Sequence, residues 1–286
     1  MNELVAYAIC KNEEEYVENF LEIVKPFDKV YVLDTGSTDN SVKLLRDAGV
    51  IVEQKQYDIF DFALARNDCL SLIENANAFC FSIDFKNKVV FPESEIATIR
   101  SNKTADAFSV KFFYREQDSY VQIENKIRVH RKNNYHWKHA IHETLVAKTN
   151  FSLVLDLDVS VYMKNRVTED KIKFYLDICE REYAKTKDIH YIWFMIEYYK
   201  SLGYNEKFLE ASFELLNKTE PYNNIFRVNV MQQLSSFFQK SGNRNKSIDF
   251  AFHALSESIT IKEQYPFLVD NSLSLLKQLN VEINIR

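Results

Sequence analysis

Residues 33–40 read Leu-Asp-Thr-Gly-Ser-Thr-Asp-Asn, and this stretch is the strongest indication of the fold in the chain. An apolar run precedes it and an apolar-periodic segment starts at Val42, which predicts a strand, a tight turn and a helix. Gly36 permits the turn, and the Ser, Thr and Asp side chains after it can accept hydrogen bonds from the first helical N–H groups. Asp34 lies at the carboxyl end of the strand, where α/β sheets bind ligands.

Strand-like and helix-like segments alternate around this stretch. The predicted strands are residues 4–10, 29–33, 50–52 and 78–83, and the predicted helices are residues 12–25, 41–48 and 62–74. Asn12 is the candidate N-cap of the first helix. The alternation predicts right-handed crossovers and a mostly parallel sheet with helices on both faces.

The pattern changes in the second half of the chain. Residues 107–115 and 123–131 are predicted as two longer strands that pair, and residues 154–163 as another, but strand signals fade from Val167. Residues 203–216 and 242–255 repeat Gly, Lys, an aliphatic residue, Phe and Leu in register, which is typical of stacked helical hairpins. We therefore predict an α/β domain over residues 1–164 and an all-α repeat-like domain over residues 165–286.

Composition restricts the possible functions. The net charge of −5 argues against nucleic acid as a partner. The chain has four cysteines and no Cys-x-x-Cys pair, so we expect buried free thiols and a reducing compartment. Residues 1–3 do not resemble the start of a signal peptide, and the longest apolar runs are too short to span a membrane. These features predict a cytoplasmic protein without a transmembrane segment.

Charged residues follow several of the predicted strands. Asp34 and Asp84 each end a strand, and Arg66 lies in the helix that precedes the fourth strand. Because the carboxyl ends of parallel strands meet at one edge of a sheet, we expect a shared cleft there. Carboxylates suit a ribose, a base or a metal ion, and an arginine suits a phosphate.

Four ordered motifs together resemble the family 2 glycosyltransferases. They are Lys-Asn-Glu at residues 11–13, Asp-Thr-Gly-Ser-Thr-Asp-Asn at 34–40, Asp-Phe-Ala-Leu-Ala-Arg-Asn at 61–67 and Trp-Lys-His-Ala-Ile-His-Glu at 137–143. The sequence is most similar to a bacterial branch with tetratricopeptide-like helices at the C-terminus. The resemblance implies a GT-A fold, in which a Rossmann-like sheet binds a nucleotide sugar.

The resemblance also implies roles for individual residues. Asn12, Glu13 and Asp34 would lie near the base and ribose, with Gly36 shaping the same donor-binding turn. Arg66 would approach the diphosphate. Asp84 would be the first acid of the family's metal-binding Asp-x-Asp. His142 would be the histidine that closes the donor site and a second candidate metal ligand. Glu143 would be the candidate general base.

Lys86 is the main departure from the family pattern, because it occupies the second acidic position of Asp-x-Asp. A cation there repels Mg²⁺ or Mn²⁺ unless another group offsets its charge. Lys86 could replace the metal and stabilise the leaving diphosphate as a catalytic residue. Alternatively, a metal could bind through Asp84, His142 and the diphosphate, or catalysis could be impaired.

Two functions follow from these observations. The first is an inverting glycosyltransferase that moves a sugar from a nucleotide-diphosphate donor, with UDP favoured, to a glycan, lipid-linked glycan, protein or peptide. The second is a catalytically degenerate nucleotide-binding scaffold whose helices bind partners. The helical region would serve as an acceptor platform or a homodimer surface. A Rossmann oxidoreductase is disfavoured because the chain lacks a Gly-x-Gly-x-x-Gly turn.

Overall fold

A computed structural model describes residues 1–116, 119–163, 168–218 and 224–281 of the chain. The chain divides into two compact units, Met1–Val167 and Thr168–Arg286. The boundary predicted between residues 164 and 165 lies outside the described residues.

The first unit is built on one eight-stranded sheet and a small two-stranded sheet. The strands are β1 (Leu4–Cys10), β2 (Lys29–Asp34), β3 (Ile51–Gln54), β4 (Phe79–Ser82), β5 (Lys88–Val90), β6 (Ala107–Glu116), β7 (Ser119–Arg131), β8 (Tyr135–Lys138), β9 (Thr144–Ala147) and β10 (Val154–Met163).

The large sheet has the order β3-β2-β1-β4-β7-β6-β10-β5. Strands β3, β2, β1 and β4 pair in parallel, as do β6 and β10, while β7 and β5 run antiparallel to their neighbours. The predicted strands at 107–115 and 123–131 are confirmed as the antiparallel pair β6–β7. Strands β8 and β9 form the separate hairpin, which the sequence did not predict.

Helices cover both faces of the large sheet, which confirms the predicted fold class. They are α1 (Val17–Val24), α2 (Ser41–Asp47), α3 (Phe62–Ser71) and α4 (Glu93–Ser101). Phe20, Leu45 and Ile99 of α1, α2 and α4 belong to one apolar core, whereas Ala65 and Leu70 of α3 pack in the core on the other face. All four cysteines are buried and free, as expected.

Asn12 is not the N-cap of the first helix, so that prediction was wrong. The residue adopts a left-handed backbone with φ 54°, and a 3-10 turn at Glu14–Tyr16 precedes α1. Its side-chain Oδ1 instead accepts a 2.7 Å hydrogen bond from the Thr38 backbone N–H. Asparagine tolerates the left-handed region better than most residues, which explains both its presence here and the mistaken assignment.

The second unit contains helices α5 (Glu169–Thr186), α6 (Ile189–Ser201), α7 (Asn205–Leu216), α8 (Asn224–Lys240), α9 (Arg244–Thr260) and α10 (Pro266–Gln278). Gly203 and Gly242 both have left-handed backbones, with φ 73° and 79°, and each leads into the next helix of a hairpin. The sequence echo is therefore a structural one, with α6–α7 and α8–α9 as the two hairpins. Within the described residues, no helix combines the length and apolarity needed to cross a membrane.

A chain of buried polar groups crosses the core of the first unit. Trp137 Nε1 donates to the Tyr7 hydroxyl at 2.8 Å, and that hydroxyl lies 2.8 Å from Nε2 of His130. His130 Nδ1 lies 3.2 Å from the backbone oxygen of Arg131. Because His130 is fully buried, desolvation lowers its pKa to about 4. The histidine is therefore neutral near pH 7, and its Nε2 can accept a hydrogen bond from the tyrosine hydroxyl.

We expect the first unit to lose stability as the pH falls from 6.5 towards 4. The unfolded state binds a proton at the ordinary histidine pKa of 6.5, whereas folded His130 binds one only near 4. The loss through this group is on the order of 3 kcal/mol. Urea unfolding followed by Trp137 fluorescence in a Trp193→Phe background measures it. His130→Gln should flatten the dependence and the exposed control His253→Gln should not; equal slopes in all three proteins would contradict the account.

Candidate functional site

Asp34 shapes the turn between β2 and α2. Its side chain is completely buried and accepts hydrogen bonds from the backbone N–H groups of Gly36 and Ser37 at 3.2–3.3 Å. Gln54 Nε2 donates to the same carboxylate at 3.2 Å. Gly36 has φ 108°, which a residue with a Cβ rarely adopts. In this conformation the carboxylate holds the turn, and its predicted contact with a donor stays a prediction.

Side chains join the turn after β2 to the loop after β1. The Asn12 backbone N–H donates to Ser37 Oγ at 2.8 Å, and the Glu13 backbone N–H donates to Ser41 Oγ at 2.9 Å. Asp39 accepts from the Ser41 hydroxyl at 2.6 Å and from the Glu14 backbone N–H at 3.1 Å. The polar residues of the two motifs therefore fix the edge of the sheet.

Helix α3 brings the Asp-Phe-Ala-Leu-Ala-Arg-Asn motif to the same edge. Asp61 caps the helix, because its side chain accepts from the Leu64 backbone N–H at 2.8 Å. Ala63 and Ala65 are small enough to pack the helix closely against the sheet. Asn67 makes paired 2.8 Å hydrogen bonds with the backbone N–H and C=O of Trp137. The motif thus anchors β8 to α3 and places Arg66 at this edge of the sheet.

Arg66 is the hub of the site. Its Nε donates to Glu143 Oε1 at 2.5 Å, its Nη2 to Asp84 Oδ1 at 2.6 Å and its Nη1 to Ser82 Oγ at 2.8 Å. The side chain is only 6% exposed. Burial alone would lower the pKa of Arg66, but Asp84 and Glu143 raise it above its usual value. The cation is therefore held by two carboxylates, as a buried charge must be.

Glu143 is the acidic partner that Arg66 controls most closely. Its side chain is 13% exposed, against 46% for Asp84. Desolvation alone would raise the pKa of Glu143, but Arg66 outweighs it and the pKa is lowered. The carboxylate is therefore ionised at neutral pH and is a weaker base than a free glutamate.

Lys86 follows Asp84 by two residues in the sequence and faces the loop after β1. Its Nζ is 3.2 Å from Glu13 Oε1 and 5.2 Å from the centre of the Tyr16 ring. The lysine side chain remains 46% exposed, so a ligand can reach it. Glu13 and Lys86 thus form a second ion pair beside the one between Arg66 and Asp84.

His142 lies in the turn between β8 and β9. His139 and His142 have left-handed backbones, with φ 72° and 53°, which cost energy for non-glycine residues. The Phe62 N–H holds this turn through a 2.9 Å hydrogen bond to the Ala140 oxygen. The turn places Glu143 against Arg66. The roles predicted for the His142 side chain stay predictions.

The residues around Asp84 do not fit a divalent cation as they stand. Asp84 Oδ1 is bound to Arg66, and Lys86 adds a positive charge two residues after Asp84. Across the described ranges, no group of three or more His, Cys, Asp or Glu side chains is arranged to hold a metal ion. The described side chains therefore do not form a complete set of metal ligands by themselves, the metal contacts predicted for Asp84 and His142 stay predictions, and we assign no step to Mg²⁺ or Mn²⁺.

Sequence reasoning missed two groups at this edge, Ser82 and Arg128. Ser82 ends β4 and receives a hydrogen bond from Arg66. The Arg128 guanidinium lies 5.2 Å from the Trp137 ring centre, and the Arg66 guanidinium lies 5.1 Å from it. Arg128 belongs to β7, whose pairing with β4 the strand pattern alone could not reveal.

Comparison with known proteins yields weak likenesses. No family model matches the chain, and no curated protein matches it. The solved structure of S. aureus TarS 1–349 is 13% identical, with 92% of each chain covered and a TM-score of 0.41. Glucosyl-3-phosphoglycerate synthase from Mycobacterium tuberculosis, in complex with Mn²⁺ and UDP-glucose, is 20% identical, with a TM-score of 0.31.

The second of these comparisons covers 40% of this chain and 44% of the mycobacterial chain. This chain therefore matches less than half the length of that protein. Both TM-scores are too low for the likeness to assign a fold or a function.

We expect Arg66→Met to destabilise the first unit by about 3–5 kcal/mol, because Glu143 would remain buried without its partner. Arg100→Met is a matched control. Arg100 binds Asp28 through two hydrogen bonds of 2.7 and 2.9 Å, but the pair is more exposed. Its loss should cost at most about 1 kcal/mol. Urea unfolding measures both variants, and equal costs would show that Arg66 is an ordinary surface ion pair.

Proposed function

We propose that the first unit binds a nucleotide-diphosphate sugar and transfers the sugar, with inversion, to a hydroxyl or thiol acceptor. The motifs that resemble family 2 glycosyltransferases with a GT-A fold support this proposal. The observation that carries it is the set of bonds made by Arg66 of the 61–67 motif to Ser82, Asp84 and Glu143. Ser82 and Asp84 lie at the end of β4, and Glu143 belongs to the 137–143 motif. The three segments therefore meet at the carboxyl edge of β4, where α/β sheets bind nucleotides.

Lys86 is our candidate for stabilising the leaving diphosphate. A diphosphate acquires negative charge as the bond to the sugar breaks, and a fixed cation beside it lowers the energy of that state. The Lys86 ammonium is exposed and already oriented by Glu13. This arrangement supports sugar transfer with a weak metal requirement. The alternative is that the protein still uses a metal ion, and the titration with and without EDTA described below distinguishes the two.

Glu143 is our candidate general base for the acceptor proton. Its lowered pKa keeps the carboxylate ionised, which the role requires, although the bond to Arg66 reduces its basicity. The same contact gives Glu143 a positioning role for Arg66. An unchanged turnover number in a folded Glu143→Gln variant would remove it as the base.

The donor is proposed to be a UDP-sugar and the acceptor a glycan, a lipid-linked glycan, a protein or a peptide, in the cytoplasm of a bacterium. The helical hairpins of the second unit support a role as a tetratricopeptide-like acceptor platform or a homodimer surface. A monomeric mass by light scattering would exclude the homodimer.

A nucleotide-binding scaffold without turnover is the second candidate. It is favoured by one observation: the carboxylates of Glu13, Asp84 and Glu143 are all paired with cations. Such a site can bind a diphosphate through its cations while lacking a strong base. Donor binding is common to both candidates, and turnover distinguishes them.

Calorimetric titration of UDP and UDP-glucose, with and without EDTA, tests the proposal. We expect wild-type protein to bind UDP in EDTA, and Lys86→Ala to weaken binding about 10-fold or more because a charge-assisted contact is lost. The exposed Lys88→Ala is the matched control and should bind as wild type does.

Three outcomes would count against this account. Absence of UDP binding in wild type would refute donor binding, and binding that disappears in EDTA and returns with Mn²⁺ would refute the weak metal requirement. Binding without UDP release from the sugar donor, across a broad acceptor panel, would favour the scaffold.

A further inference from the structure

Arg128 occupies an irregular position in the centre of the large sheet. Along the β6–β7 ladder, Phe108 pairs with Val129 and Ser109 pairs with Ile127, so Arg128 is an extra residue in β7. A β-bulge of this kind bends the strand and redirects a side chain, and bulges are common beside active sites. The bulge therefore leaves Arg128 without a partner residue in the β6–β7 ladder.

Aromatic rings, and not acidic groups, contact the Arg128 guanidinium. Its Cζ lies 5.1 Å from the Phe112 ring centre and 5.2 Å from that of Trp137. In the part of the chain that the structure describes, no group forms a hydrogen bond or an ion pair with this side chain. A half-buried guanidinium with five N–H donors and no acceptor is unusual in a folded protein.

The contrast with Arg66 indicates which arginine is available to a ligand. Both guanidinium groups lie against Trp137, but Arg66 is committed to Glu143, Asp84 and Ser82. Breaking those bonds to bind a ligand would leave the largely buried Glu143 carboxylate unpaired. Arg128 can bind an anion without losing a hydrogen bond.

The charge around Arg128 favours an anionic ligand. Burial lowers the pKa of Arg128, and although Asp84 opposes this change, the neighbouring Arg66 adds to it. The cation is therefore less stable here than in water, and a bound anion would relieve that cost. A planar guanidinium donates two parallel hydrogen bonds to phosphate oxygen atoms.

We propose that Arg128 binds the oxygen atoms of a substrate phosphate group at the carboxyl edge of β4. Where that group is the diphosphate of a nucleotide sugar, the proposal rests on the function proposed above. A phosphate group carried by the acceptor offers the same chemistry. Arg128 thus takes the phosphate-binding role that the sequence motif assigned to Arg66.

Titration calorimetry with three probes tests this assignment: UDP, inorganic pyrophosphate, and inorganic phosphate added to protein saturated with UDP. The variants are Arg128→Gln, Arg128→Lys and the control Lys126→Gln. Lys126 lies on the same strand and over the same Phe112 ring, at 5.5 Å, but pairs with Glu124 at 2.7 Å. Circular dichroism and thermal unfolding confirm that each variant is folded.

We expect Arg128→Gln to weaken binding about 10- to 100-fold for at least one probe, Arg128→Lys to lose less, and Lys126→Gln to match wild type. Weaker UDP and pyrophosphate binding would identify the donor diphosphate. Unchanged UDP binding with lost phosphate binding would identify an acceptor phosphate.

Equal affinities of wild type and Arg128→Gln for all three probes would overturn the assignment, as would wild-type protein that binds none of them. If wild type fails to bind UDP but binds pyrophosphate through Arg128, the nucleotide-sugar function fails and the phosphate site stands.

Discussion

The structure of the first unit depends on carboxylate partners for one buried positive charge, the Arg66 guanidinium. Arg66 is almost excluded from water, and a guanidinium in that position must have carboxylate partners. Its partners come from the end of β4 and from the turn between β8 and β9. Helix α3, the sheet and the β8–β9 hairpin are therefore linked by charge as well as by apolar packing. The left-handed backbone of His142 is acceptable in this setting because the turn delivers Glu143 to Arg66.

This constraint separates residues that build the site from residues that can meet a ligand. Asp34 and Asn12 use their oxygen atoms to hold two turns, and Arg66 uses its N–H groups to hold two carboxylates. Among the described residues at this edge, Lys86 is half exposed, and the Arg128 guanidinium lies against the Phe112 and Trp137 rings. Two cations in these positions suit a ligand with concentrated negative charge.

Much of the fold was predictable because apolar periodicity reflects burial. Strands β1 and β10 have the predicted bounds, and the Gly203 and Gly242 turns were visible as an echo in the sequence. Helix α4 escaped prediction because only Ile99 of it is buried, so its apolar pattern is weak. Local chemistry also misled the prediction at Asn12, since the same residue type suits a helix cap and a left-handed turn.

The sequence motifs named Arg66, Asp84 and Glu143, and the structure brings these three residues into contact. The motifs did not predict that Arg66 would be paired with both carboxylates, and the ligand-binding roles of these residues stay predictions. Burial and pairing, which decide whether a charge faces a ligand or a neighbour, depend on contacts between distant strands. Arg128 became visible only through the β4–β7–β6 register and its bulge.

A crystal structure of the protein soaked with UDP tests the central claim most directly. We predict that the Arg66 bonds to Asp84 and Glu143 remain intact, and that the diphosphate oxygen atoms contact Lys86, Arg128 or both. A diphosphate bound to Arg66, with those two ion pairs broken, would contradict the account.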